Sequence, residues 1–63
     1  MQYTVHFACG RNYAWQREVV EAKTATEAID KAKAQFSDFQ KLGYRVVRVD
    51  HTDDAGRIVI DGA

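Results

Sequence analysis

The chain has a single cysteine among its 63 residues, no excess of either charge and no long apolar run. Each shortage removes a class of protein. Cys9 has no second thiol for an internal disulfide, which fits a reducing cytoplasm, and its expected place is that of a small buried hydrophobe. Nine Lys and Arg against nine Asp and Glu give a formal net charge of zero, so no overall field draws the protein to nucleic acid or to an anionic membrane. No apolar stretch approaches the roughly 20 residues that cross a bilayer. The N-terminal MQYTVHFA also lacks a basic head followed by a purely apolar segment. The expectation is a soluble, unprocessed cytoplasmic protein with no membrane partner.

Motifs that carry chemistry are equally scarce. There is no phosphate-cradling glycine loop, no nucleophile elbow and no pair of carboxylates in an evident pocket. His6 and Cys9 are three apart, which in a strand sends them to opposite faces. Asp50-His51-Thr52-Asp53-Asp54 holds ligand-type residues, but the EF-hand order is missing. A zinc site wants three or four His or Cys, and the chain offers only His6, His51 and Cys9. The stretch reads as an acidic hairpin turn whose Asp side chains accept backbone N–H bonds, with His51 at a strand end. The sequence predicts no enzyme, no metal and no cofactor.

What is present is ordinary globular material, 46% hydrophobic and 29% charged. The length predicts one domain, residues 1–63, close to the lower limit for folding without metal or disulfide. The clearest element is TATEAIDKAKAQFSDFQKLG, where Ala28, Ile29, Ala32, Phe36 and Phe39 recur at steps of three and four and form the apolar stripe of an amphipathic helix. Thr24 and Glu27 have capping-box spacing, and Gly43 supplies a left-handed residue to stop a helix of about 18 residues. Glu27 stands four before Lys31, a favourable ion-pair spacing on a solvated face that Lys33 and Lys41 share.

Segments of period two flank the helix. Tyr3, Val5, Phe7 and Cys9 alternate with Thr4, His6 and Ala8; Val20 and Ala22 with Val19 and Glu21; Val47 and Val49 with Val46, Arg48 and Asp50; Ile58 and Ile60 flank Val59. Turn residues Gly10-Arg11-Asn12-Tyr13 and Asp53-Asp54-Ala55-Gly56 join these into two hairpins. The order β-β-α-β-β, with a right-handed crossover, predicts an α+β fold: a four-stranded antiparallel sheet in the order 2-1-3-4, one helix packed on one face and the other face bare.

On that scheme Val5, Phe7, Val20, Ala22, Val47, Val49, Ile58 and Ile60 meet the helix. The pleat sends Thr4, His6, Ala8, Arg17, Val19, Val46, Arg48 and Val59 outward, with Trp15 and Tyr44 near the strand ends. Aromatic and arginine side chains supply binding hot spots, because they bury much area with few rotors and also stack or hydrogen-bond. Trp15, Arg17, Tyr13, Arg11, His6, Tyr44 and Arg48 are therefore the candidate partner-binding residues. A merely solvated face is the plain alternative.

The run EVVEAKTATEAIDKAKAQF followed by two strands resembles small α+β proteins of phages and mobile elements, among them some anti-CRISPR proteins that inhibit bacterial defence complexes by binding them. The resemblance covers most of the chain and rests on a strand-cap-helix pattern. It implies a stoichiometric inhibitor that occludes a partner protein's surface. The residues and the resemblance together lead to a non-enzymatic protein-binding module. The competing readings are a nucleic-acid-binding module that stacks bases on the same face, and a structural homodimer formed by sheet packing or by an edge strand.

Overall fold

A computed structural model describes residues 1–9, 14–36 and 43–62. The elements follow in the order β1 (Gln2–Cys9), β2 (Ala14–Glu21), α1 (Ala25–Gln35), β3 (Tyr44–Thr52) and β4 (Ile58–Gly62). The strands form one antiparallel sheet in the order β2-β1-β3-β4, and α1 packs on β2, β1 and β3. This is the α+β arrangement that the periodicities predict. Gly10–Tyr13, the expected turn of the first hairpin, lies outside the described residues, as do Phe39 and Lys41.

The helix begins where its cap residues require. Thr24 has extended backbone angles and its Oγ1 accepts a hydrogen bond from Glu27 N–H at 3.2 Å. The Glu27 carboxylate reaches back to Lys23 N–H at 3.0 Å, one residue before the cap, so both side chains satisfy backbone donors at the helix start. Lys31 Nζ lies 3.4 Å from Glu27 Oε1, the expected i,i+4 pair. The end differs from expectation. The helix is 11 residues long and stops at Gln35; Phe36, at φ −93° and ψ 78°, has left helical geometry while its N–H still reaches the Ala32 carbonyl. The next two residue types in the sequence, Ser and Asp, have low intrinsic helix propensity. Gly43 does adopt a positive φ of 73°, but it leads into β3 rather than closing α1.

The core lies between α1 and the near face of the sheet. Val5, Phe7, Val49, Ala28 and Ala32 are fully buried, with Tyr3, Val20 and Ala22 almost so. The two alanines let the helix sit close to the sheet. Phe36 closes one end, its ring 5.4 Å from that of Phe7 and 5.1 Å, edge on, from that of Tyr44.

The inward faces of β1 and β2 are those the alternation predicts, whereas β3 and β4 depart from it. Phe7 faces Val46 while His6 faces Arg48, so Val47 is an extra residue at a bulge. The bulge changes the phase of β3. Tyr44 and Val46 pack against the core, and Val47, expected there, does not. In β4 the faces are exchanged. Asp53 N–H donates to the Arg57 carbonyl at 2.8 Å, so the turn closes on that pair through the loop Asp54-Ala55-Gly56, with Gly56 at φ 80°. Asp53 Oδ1 accepts from Ala55 N–H and Arg57 N–H, which holds the turn. A turn over all of residues 53–56 would face Thr52 with Arg57 and Val49 with Ile60. The observed register instead sets Asp50 opposite Ile60 and His51 opposite Val59. Since opposite residues share a face, this one-residue difference turns Ile58 and Ile60 to the bare side and Val59 to the helix side.

Candidate functional site

The face without a helix is organised in rows across the sheet. One row sets Trp15 of β2, Ala8 of β1 and Arg45 of β3 side by side; the next sets Arg17, His6 and Arg48; a third sets Val19, Thr4, Asp50 and Ile60. The first row joins a small residue to two large ones. Ala8, with its short side chain, lies almost buried between two larger neighbours, while Trp15 is 63% exposed.

The centre of the face is a tied network of charge. Asp50 is 9% exposed, although it belongs to the bare side. His6 Nε2–H donates to Asp50 Oδ2 at 2.8 Å, and Arg48 Nε lies 2.8 Å from the same oxygen. That second contact lacks hydrogen-bond alignment, so it acts by charge alone. A carboxylate this shielded from water needs such compensation. His6 and Arg48 therefore have a structural task, and the positive charge of Arg48 is largely neutralised on the spot. Arg17 and Arg45 form no ion pair among the described residues, and both are exposed. They hold the face's uncommitted positive charge.

The remaining predicted site residues fall elsewhere. Tyr44 lies on the helix side, packed edge on against Phe36, because the bulge at Val47 reverses the face of everything before it in β3. Arg11 and Tyr13 lie outside the described residues. Arg45, Ile58 and Ile60 belong to the bare face and were not anticipated there. A signal for Arg45 exists in the sequence: Tyr44-Arg45-Val46 and Val47-Arg48-Val49 each alternate apolar and basic residues, and the two phases collide at the double valine.

Beside the third row a shallow groove of about 500 Å³ is lined by Met1, Gln2, Thr4, Val19, Thr52 and Asp54. It holds no constellation of acid, base and nucleophile. A second His–Asp pair, His51 Nδ1 to Asp61 Oδ2 at 2.5 Å, sits on the helix side, where the His51 ring also contacts that of Tyr3. Among the described residues no three His, Cys, Asp or Glu side chains converge as metal ligands, and no helix is long and apolar enough to cross a membrane. These features define a class: a small two-layer α+β protein, covered on one side of its sheet and open on the other. No family model, curated protein or solved structure matches the chain.

Proposed function

We propose that the protein is a non-enzymatic, cytoplasmic binding module that docks the bare face of its sheet onto another protein and occludes part of that partner's surface. An inhibitor of the anti-CRISPR kind would work in this way. The observation that carries the reading is Trp15, 63% exposed beside the buried Ala8, with Arg17 next in line on the same strand and face. A tryptophan in water wastes a large apolar area that a partner can bury, and an adjacent arginine adds directional bonds at the edge of that contact. The central network favours a protein over a nucleic acid. Asp50 neutralises Arg48, which leaves too little free positive charge for a phosphate backbone.

Mutation of the face tests this. Trp15→Ala and Arg17→Ala should leave the fold intact and each weaken partner binding by more than about 1 kcal/mol. The partner is found by comparing, by mass spectrometry, what wild-type and Trp15→Ala baits retain from host extract, and the affinity is then measured by calorimetry with the purified partner. Binding unchanged from wild type in both variants refutes the face. Tight, steeply salt-dependent binding to DNA or RNA would replace this reading with the nucleic-acid one.

A further inference from the structure

β4 is an edge strand that the sheet leaves unfinished. All five of its residues are exposed, with Ile58 at 65% and Ile60 at 63%. An apolar edge without proline or lysine is a template for another strand, which soluble proteins ordinarily blunt; here the ladder to β3 is regular from Ile58 to Ile60 and shifts only at Asp61, between Ile60 and Gly62. The backbone pairing shows what that edge offers. Because Asp53 N–H bonds to the Arg57 carbonyl, Arg57 is a hydrogen-bonded position of the β3–β4 ladder. Alternation makes Val59 the next one and turns the N–H and C=O groups of Ile58 and Ile60 away from β3. An added strand must bond to those two residues.

The sequence there is its own complement. Read antiparallel about Val59, Gly56-Arg57-Ile58-Val59-Ile60-Asp61-Gly62 sets Ile58 against Ile60, Arg57 against Asp61 and glycine against glycine. The outward-bonding residues Ile58 and Ile60 meet each other in this register, so backbone and side-chain matching agree. The charges are also available. Arg57 is largely exposed and held only by a 3.6 Å contact to Asp53, while Asp61 engages His51 through Oδ2 and its Oδ1 carries no bond among the described residues.

We propose that β4 pairs edge to edge with β4 of a second copy, antiparallel and centred on Val59, to form a two-fold symmetric dimer with one continuous sheet. The axis lies perpendicular to the sheet, so both helices fall on one side and the isoleucines of both copies cluster on the other. The contact is isologous and uses up the apolar edge, so assembly stops at two. A single short strand buries less than the roughly 800 Å² per partner of a standard interface, so the dimer forms and dissociates with concentration. This inference is independent of the role assigned to Trp15 and Arg17, which lie toward the opposite edge.

Sedimentation velocity from the low micromolar to the millimolar range tests it. The wild-type mass should rise from that of one chain to that of two. Arg57→Glu and Asp61→Lys should each weaken the dimer at least about tenfold, because like charges then stand opposite one another twice. An equimolar mixture of the two variants should recover the dimer, because each new charge then faces its opposite. Ile60→Pro removes an outward N–H that β3 does not use; it should abolish the dimer while the circular dichroism spectrum stays that of the wild type. A wild-type protein that stays monomeric at millimolar concentration overturns the proposal. So does a dimer that is indifferent to Ile60→Pro, or variants that weaken individually yet fail to recover on mixing.

Discussion

The two edges of this sheet are built to opposite plans. β2 is eight residues long, places Val20 in the core, and carries Arg17, Glu18 and Glu21 along its length. Lys31 of the helix donates to the Glu21 carbonyl at 2.7 Å, and the N-terminal ammonium pairs with the Glu21 carboxylate. Charge and a lysine cap discourage any further strand on that side. β4 is five residues long, has no residue in the core and shows isoleucine on the bare face. The cause is the reach of the helix. A helix is about 10 to 12 Å across, which spans about three strands spaced about 4.8 Å apart, and α1 packs on β2, β1 and β3. Burial is concentrated over β2, β1 and the near part of β3, and β4 is left to the hairpin that holds it.

That contrast can be broken or sharpened by measurement. The largest expected effect is at the centre that both halves share. Phe7→Ala removes a fully buried ring and should cost about 3 to 5 kcal/mol, enough to unfold a domain this small; a chemical denaturation midpoint near that of the wild type would show the core misread. Next comes the direct comparison of the edges. Val20→Ala should cost about 2 kcal/mol, whereas Ile58→Ala, at dilutions where the protein is monomeric, should stay within about 0.5 kcal/mol of wild type. Equal losses would mean that β4 carries more of the fold than its exposure implies. Thr24→Ala should cost about 1 kcal/mol through the lost helix cap, and the β2 amides packed under α1 should then exchange with solvent faster than before.

The smallest effect is a pH dependence. The hydrogen bond from Lys23 N–H, aided by Lys31, holds the Glu27 carboxyl below its ordinary value of 4.5. A carboxylate whose folded value is depressed adds stability at pH above the ordinary value, and this is lost as the pH falls through the lower, folded one. Glu27→Gln should lower the neutral plateau of a stability–pH curve slightly and flatten its acid limb, so that the variant and wild-type curves converge at low pH. A steeper acid limb in the variant would contradict the assignment.

The strand order, the helix start and the inward faces of β1 and β2 were legible because their local signals are uninterrupted: a period of two without phase breaks, and Thr24 followed by Glu27. Trp15, Arg17, His6 and Arg48 followed from the same periodicity and stand on the bare face. Tyr44 did not, because a bulge at Val47 is a property of how β3 registers against β1, which simple alternation does not encode. Ile58 and Ile60 were misplaced for a related reason. Whether the hairpin closes on Thr52 or on Asp53 depends on side-chain bonds made by Asp53 and on Gly56 taking a left-handed conformation, and the choice inverts a whole strand. The extent of α1 was overestimated because the apolar repeat continues to Phe39, beyond the point where the backbone leaves the helix.

The closure of the second hairpin on Asp53 has an evolutionary corollary. With side chains alternating along β4, a substitution at Asp53 that lets the hairpin close on Thr52 and Arg57 instead would exchange the two sides of that strand and draw its isoleucines toward the helix. Change and reversion at that one position is therefore a short mutational route between a sticky and an inert version of the same scaffold.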